Sequence, residues 1–172
     1  IQIPESVTSI GKEAFIGCES LKEIQIPKSV TSIGNLAFDD CTSLEEIQIP
    51  ESVTSIGERA FQYCKSLNEI QIPESVTSID ERAFGHCTSL KEIQIPESVT
   101  SIGENLFEDC IKLQRIIMSN NISDQVLETL YREEMPIDQT LMFGEDLERF
   151  ETLKERNKVY LEQDSDYGEK QM

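Results

Sequence analysis

Cysteine and histidine are the residue types here with the widest chemical range, and their spacing limits what they can do. Zinc sites need cysteine pairs two to four residues apart, or added histidines, so cysteines 23 residues apart do not predict a metal site. A cysteine nucleophile needs a histidine base beside it in space, and four of the five cysteines have no neighbouring histidine. The residues are Cys18, Cys41, Cys64, Cys87, Cys110 and the single histidine, His86.

This pattern favours each cysteine as a small buried hydrophobic residue over a nucleophile or a metal ligand. Disulfides between neighbouring copies of the repeat described below are an alternative, because stacked Cα atoms about 5 Å apart fall within disulfide range. Side chains stacked in parallel seldom reach the required torsion angle, and an odd number leaves one thiol free. We therefore predict no catalytic residue, no metal site and no cofactor, and the cysteines do not fix the redox compartment.

The cysteine spacing belongs to an internal repeat that spans most of the chain. Residues 1–11, IQIPESVTSIG, recur four more times with a step of 23 residues, with single changes at Lys28 and Asp80. Five copies extend to Arg115, and a sixth begins at Ile116. A unit of this length cannot bury its own apolar face, so neighbouring copies must stack into a continuous core.

Each copy combines a predicted strand, a second extended piece and a tight turn. Residues 21–26 place Ile24 and Ile26 on one side and Glu23 and Gln25 on the other, which is typical of a strand. Pro27 ends it because proline lacks an amide hydrogen. Residues 29–31 are predicted to be extended with the valine inward. Gly34, replaced by Asp80 in the fourth copy, then starts a short helical turn. Apolar residues three apart favour a 3₁₀-like turn over a long helix.

Two columns of polar side chains occupy the outer side of the predicted strands. Stacked glutamates about 5 Å apart repel one another unless a partner or solvent offsets the charge. One interpretation is a basic protein partner on this face, and the other is a solvated acidic face that keeps the protein soluble. The candidate partner-binding residues are Glu23, Gln25, Glu46, Gln48, Glu69, Gln71, Glu92 and Gln94.

A third repeated feature is Ser6-Val7-Thr8, with its valine inward and both hydroxyls outward. A regular array of such hydroxyls resembles the threonine arrays of ice-binding solenoids. We favour the interpretation that these hydroxyls satisfy main-chain groups and suit β geometry.

The repeat unit IxIPxSVTSIGxxAFxxCxSLxx resembles the leucine-rich repeats of the BspA-like family over 115 of 172 residues. The resemblance implies an α/β solenoid, a curved right-handed superhelix of five to six 23-residue repeats with strands on its concave face. It also implies the context of large surface or secreted proteins that adhere to and bind host proteins. No catalytic residues belong to the family motif, so the resemblance implies none here.

The acidic composition excludes several classes of partner. The formal net charge is −18 and the pI is near 4.3, whereas binding to nucleic acid or an anionic membrane needs clustered lysine and arginine. No apolar run approaches the 18 or so residues that a membrane span requires. We expect a protein partner, no nucleic acid and no membrane insertion.

From Ser119 onwards the repeat stops and two helices are predicted. Ser123 is the expected N-cap of the first, Ile122 and Leu127 form a hydrophobic staple, and Pro136 follows its end near residue 134. This helix is predicted to cover the open end of the solenoid. The second, over residues 145–162, either caps or contacts a partner through Leu147, Phe150, Leu153, Tyr160 and Leu161.

These patterns predict two domains, a leucine-rich-repeat solenoid over residues 1–118 and a C-terminal helical cap with an acidic tail over residues 119–172. The leading function is a non-enzymatic protein-interaction or adhesion module that binds through the concave strand face or the variable loop edge. The alternative is a structural spacer of a larger surface protein, with its C-terminal helices mediating self-association. A homodimer through the solenoid end or the C-terminal helix is also considered. The chain opens at Ile1 rather than methionine, which suggests a fragment or a processed product.

Overall fold

The computed structural model describes residues 1–118, 121–133, 148, 151–152 and 155. Short parallel strands follow one another along the chain, and one helix comes after them. The elements are β1 (Ser32–Ile33), β2 (Ser55–Ile56), β3 (Ser78–Ile79), β4 (Glu92–Ile95), β5 (Ser101–Ile102), β6 (Arg115–Met118) and α1 (Asp124–Arg132).

Two parallel sheets run along the stack of repeats, and both have a register of one repeat. The first has the order β1-β2-β3-β5 and pairs each Ser-Ile dipeptide with the one 23 residues later. The second pairs β4 with β6, and single parallel bridges extend it back through the glutamine column as far as Gln2. The predicted solenoid of stacked repeats is therefore confirmed, and β6 supplies a strand of the sixth copy.

The second extended piece lies slightly later than predicted. Val30 is fully buried as expected, but its amide donates to Pro27 O across a turn (3.0 Å) and so is unavailable for pairing. Pairing between copies begins at Thr31, whose amide donates to Thr8 O (2.9 Å), and the strand itself is β1. Residues 27–30 thus form the corner between the two sheets.

The core repeats the same apolar side chains in each copy. From the second copy to the fourth, isoleucine, valine, alanine, phenylalanine, cysteine and leucine at matching positions are buried, and Leu106 takes the alanine position in the fifth copy as predicted. In the first copy Val7, Phe15 and Cys18 are only partly buried. The phenylalanine rings stack nearly parallel, with successive centroids 5.1, 5.3, 5.6 and 5.9 Å apart. These rings belong to Phe15, Phe38, Phe61, Phe84 and Phe107.

The segments after each Ser-Ile strand form what we call the turn face, residues 11–18, 34–41, 57–64, 80–87 and 103–110. They contain bonds spaced as in a 3₁₀ turn, such as Ala37 N to Gly34 O (3.2 Å), but no helix is present in these segments. Leu36 and Asp40 have φ of 56° and 58°, as at the third position of a type II turn. The bonds between residues three apart agree with the predicted 3₁₀-like turn, but the predicted helical conformation is wrong and Gly34 is not a helix N-cap.

Contacts between copies explain this geometry. Left-handed residues occur four apart in each copy, as at Leu36 and Asp40. Alternate amides of one turn point at the next copy, and those between them bond three residues back. Phe38 N donates to Ala60 O (2.8 Å) and Asp40 N to Gln62 O (2.9 Å). Gly34 lies so close to the preceding copy that a Cβ there would sit 2.8 Å from Lys12 N. Close approach between copies therefore explains this glycine.

Helix α1 follows the last strand and begins where the sequence predicts. Ser123 is its N-cap and accepts from Val126 N at 3.3 Å. Ile122 and Leu127, the predicted staple pair, are both buried. Residues 148, 151–152 and 155 are helical, but the side chains predicted to form the apolar face of the second helix lie outside the described residues. Those side chains are Leu147, Phe150, Leu153, Tyr160 and Leu161.

Side chains on and beside α1 take over the hydrogen bonds that a further repeat would make. Ser123 Oγ donates to Thr100 O at 2.9 Å. The Gln125 amide both accepts from Ile102 N and donates to Ile102 O, each at 3.0 Å. The Glu133 carboxylate accepts from Asn105 N on the turn face. Together with buried Val126, Leu127 and Leu130, these bonds make α1 the C-terminal cap of the repeats.

Candidate functional site

The Glu/Gln face consists of the eight side chains predicted as partner-binding residues, and the structure brings them together on one surface. All eight are exposed, while the isoleucines between them are buried. The glutamines are linked by main-chain bridges from copy to copy, which fixes the spacing of the column. Parallel strands hold successive copies about 4.8 Å apart. The face is therefore a regular grid of carboxylates and amides on a rigid base.

Three adjoining hollows lie along this face. The largest, about 670 Å³, is lined by Glu46, Gln48, Glu69 and Gln71 together with Lys28 and other residues. Two smaller ones, about 460 and 440 Å³, share Gln2, Gln25 and Gln48 and lie towards the first copy. The hollows overlap the predicted residues, so an extended ligand can contact several copies at once.

Charge along the Glu/Gln face is acidic except at its end. Arg115 occupies the next glutamate position and pairs with Glu92 (Nη2 to Oε2, 2.8 Å). In the described part of the chain, neither Lys22 nor Lys91 comes within ion-pair distance of the glutamate column. The described residues therefore make no ion pair with Glu23, Glu46 or Glu69. Lys28 is the one described basic residue that lines the largest hollow.

The repeated serine and threonine hydroxyls serve the fold, as the favoured interpretation predicts. Ser29 Oγ donates to Val7 O at 2.6 Å, and Thr31 Oγ1 donates to Thr8 O at 3.2 Å. Equivalent bonds recur in the following copies except at Ser98, whose Oγ has no partner among the described residues. These hydroxyls link neighbouring copies and do not form an array directed at a ligand.

The cysteines are free thiols, and four of the five are buried. Each buried thiol donates to the phenylalanine carbonyl of the preceding copy, as Cys64 Sγ does to Phe38 O at 3.3 Å. Burial raises the pKa of Cys41 and of Cys110 to about 12, and raises those of Cys64 and Cys87 well above the usual 9.0. Such thiols stay protonated at neutral pH and are poor nucleophiles.

His86 is engaged away from the neighbouring thiol. Its ring stacks on Tyr63 with centroids 4.4 Å apart, and its Nδ1 lies 3.3 Å from Asp109 Oδ2. Cys87 Sγ instead donates to Phe61 O at 3.2 Å. The histidine and cysteine therefore do not form a nucleophile–base pair. No group of histidine, cysteine, aspartate and glutamate suited to a metal ion occurs among the described residues.

Two features of the structure have no counterpart in the sequence predictions. One is the set of cap bonds made by Gln125 and Glu133. The other is the polar cluster on the turn face around Arg59 and Arg82. A signal for the second was available, since copies of the repeat differ most at these turn positions while the Glu/Gln face hardly changes. No helix in the described ranges is long and apolar enough to cross a membrane.

Comparison with known proteins agrees with this architecture. The family model for BspA-type leucine-rich-repeat regions matches six copies, over residues 1–114 and 54–131. The chain belongs to the BspA-type leucine-rich-repeat family. Repeats of this family are protein-interaction or repeat modules and are generally non-enzymatic. No curated protein matches the chain in sequence.

Solved structures of other leucine-rich-repeat proteins show the same fold. A leucine-rich-repeat protein of T. pallidum is 36% identical, with a TM-score of 0.66 over 67% of this chain and 56% of that protein. One from Bacteroides ovatus is 40% identical, with a TM-score of 0.66 over 69% of this chain and 34% of that protein. A leucine-rich cell surface protein of Faecalibacterium prausnitzii is 36% identical, with a TM-score of 0.63 over 70% and 36%. This chain therefore spans only about a third to a little over half of these proteins.

Proposed function

We propose that this chain is a non-enzymatic protein-binding module whose Glu/Gln face binds a partner that presents basic residues. The observation that carries the proposal is the grid of eight exposed carboxylates and amides fixed by main-chain pairing. A rigid face loses little conformational entropy when it binds. Complementary charge steers the partner to this face and fixes its register.

An adhesion role at the cell surface extends this proposal. Support comes from the family and from the similar Faecalibacterium prausnitzii protein, which is described as a cell surface protein. An extended basic segment lying across several copies would contact all three hollows of the Glu/Gln face. Such a contact gains affinity from repetition of weak charge pairs rather than from one deep pocket.

The test uses a labelled peptide of ten lysines as a probe of basic partners, with binding measured by fluorescence anisotropy. We expect the triple variant Glu46→Gln, Glu69→Gln and Glu92→Gln to weaken binding at least about tenfold, because the steering charges are lost. The control changes three exposed glutamates elsewhere, Glu13→Gln, Glu19→Gln and Glu74→Gln, for the same net charge. Equal weakening by both triples would show binding to overall charge and reject the Glu/Gln face.

A structural spacer role is the second candidate. It is favoured by the repeated hydroxyls, because inter-copy hydrogen bonds use them and leave them with no evident role in recognition. In this case the ten-lysine peptide shows no saturable binding to the natural chain or to either triple variant. Self-association through the C-terminal helices is the finer form of this proposal. It predicts a dimer by light scattering that becomes a monomer when the chain ends after residue 133.

A further inference from the structure

The turn face carries two arginines at equivalent positions, Arg59 and Arg82, with nearly the same left-handed backbone (φ of 53° and 52°). Arg82 is well paired. Its Nε donates to Glu108 Oε2 in the next copy at 2.7 Å, and its Nη1 bonds Glu81. Such a charge-assisted bond from guanidinium to carboxylate is among the stronger polar contacts in proteins.

Arg59 lacks the corresponding carboxylate. Glu108 lies 26 residues after Arg82, and the residue 26 after Arg59 is Gly85. Arg59 Nε is buried and has no hydrogen-bond partner within the described ranges, and its ion-pair contact is with Glu58 Oε1 at 3.6 Å. The side chain is still 38% exposed, so its terminal nitrogens reach the surface.

A second side-chain donor without a hydrogen bond among the described residues, Gln62, lies beside Gly85. Gln62 is only 7% exposed, and no hydrogen bond of its side chain occurs in the described structure. Its Nε2 lies 3.5 Å from where a Cβ on Gly85 would stand. The amide atoms of Gln62 keep some contact with solvent, so Nε2 is available to donate to an acceptor placed at this position. Among nearby acids, Asp39 has a pKa that burial and the neighbouring Asp40 raise, and the charge of Arg59 offsets part of this. Asp39 Oδ1 makes no hydrogen bond among the described residues.

Two aromatic residues of the turn face, Tyr63 and His86, directly follow Gln62 and Gly85 in the sequence. Tyr63 and His86 stack with their centroids 4.4 Å apart, and Lys65 Nζ lies 5.9 Å from the Tyr63 ring centroid. Tyrosine and arginine are enriched among residues that dominate the energetics of protein interfaces. A protein segment bound here can therefore pair with Arg59 and pack against the rings in the same contact.

We infer that Arg59 and Gln62 form a docking position for an acidic side chain of a partner protein, which supplies the carboxylate missing at Gly85. The partner is a protein because Glu108, the group it replaces, is itself a protein side chain held at 2.7 Å by the equivalent arginine. This position lies on the turn face and is independent of the Glu/Gln face. The chain thus carries one surface for basic groups and another for acidic ones.

The first test builds the missing carboxylate into the chain. A side chain at residue 85 meets only ordinary contacts of 3.4 to 3.6 Å, so substitution is tolerated. We expect Gly85→Glu to melt about 2–4 °C above the uncharged match Gly85→Gln, and the gain to vanish when Arg59→Gln is added. No difference between Gly85→Glu and Gly85→Gln would show that Arg59 cannot take a carboxylate there and would overturn the inference.

The second test supplies the carboxylate from outside. The probe is the blocked peptide acetyl-Gly-Tyr-Glu-Tyr-Gly-amide, with its Glu→Gln form as control, titrated into ¹⁵N-labelled protein. Saturable shifts of the Arg59 Nε and Gln62 side-chain signals are expected with the glutamate peptide, and their loss is expected in Gly85→Glu. Equal shifts in Gly85→Glu, no shift in the natural chain, or acetate acting at the same concentration as the peptide would each reject a docking position for a protein side chain.

Discussion

The repeats and the helical cap satisfy equivalent main-chain groups by different means. Between copies, Gly103 N donates to Ile79 O at 2.8 Å, so backbone pairs with backbone. At the C-terminal end, the Gln125 side chain makes both bonds of Ile102, and Ser123 Oγ bonds Thr100 O. A solenoid end can therefore be closed by a few well-placed side chains without another strand.

This difference determines where each region is vulnerable. A bond between two backbones survives most substitutions, because its donor and acceptor exist in every residue except proline. A bond made by a side chain disappears with that side chain. The repeats should therefore lose stability chiefly when their packing is damaged, and the cap when a single polar group is removed.

Damage to packing in the repeats should give the largest effect. Phe61 is fully buried and stacks between Phe38 and Phe84. We expect Phe61→Ala to lower the free energy of unfolding by about 3–5 kcal/mol, measured by urea denaturation. The control is Phe15→Ala at the half-buried end of the same stack, with a clearly smaller loss. Similar losses at both positions would contradict the view that stability depends on packing between copies.

Removal of a single polar side chain should destabilise the cap, unlike the repeats, which depend on packing. Gln125→Ala leaves Ile102 N and Ile102 O without their partners and should cost about 1–3 kcal/mol. Hydrogen exchange of the Ile102 amide should accelerate, while the Ile56 amide deep in the repeats stays protected. Unchanged exchange at Ile102 would mean that the cap does not depend on this amide.

Alkaline pH should act on the repeats through their buried thiols. Burial raises the pKa of Cys64 well above the 9.0 of an ordinary thiol, so its contribution to stability is complete below pH 9.0 and is lost as pH rises towards the folded value. In that range each such thiol should lower the free energy of unfolding by about 1.4 kcal/mol per pH unit. Cys64→Ser keeps a donor for Phe38 O, does not titrate, and should reduce the slope of stability against pH. An unchanged slope would exclude thiol ionisation as its cause.

The smallest expected effect is at the carboxylate of the cap. Burial raises the pKa of Glu133 above 4.5, and the amide of Asn105 offsets part of this. Its contribution is therefore complete below pH 4.5 and is lost as pH rises through the folded pKa. Glu133→Gln keeps an acceptor without the charge, so it should be up to about 1 kcal/mol more stable at pH 7 and equal near pH 4. A natural chain more stable than Glu133→Gln at pH 7 would contradict this.

Repetition explains how much of the fold was predictable. Five copies showed which residues must be apolar, so the Ile-Gln-Ile strand, the buried cysteines and the exposed Glu/Gln columns all agree with the structure. The helical conformation predicted after Gly34 is wrong because the spacing of apolar residues does not show which residues have positive φ. Non-glycine residues such as Leu36 and Tyr63 have positive φ there, and neither residue type suggests it.

The cap and the turn face were less predictable for different reasons. The cap occurs once, so Ser123 and the apolar stripe were recognisable from capping rules, whereas the role of Gln125 depends on where Ile102 lies in space. On the turn face, the contrast between Arg59 and Arg82 depends on a residue 26 positions away in the next copy. A sequence pattern found within one copy does not show contacts between residues of different copies.

The cap bonds have a consequence for how the gene can change. The acceptors and donors used by Ser123 and Gln125 are main-chain atoms of Thr100 and Ile102, and a Thr-Ser-Ile segment occurs in each of the first five copies. The same closing segment therefore fits after any copy, wherever the array stops. Unequal recombination that adds or deletes 69 nucleotides, three for each residue of a 23-residue unit, yields a shorter or longer protein with the same finished end.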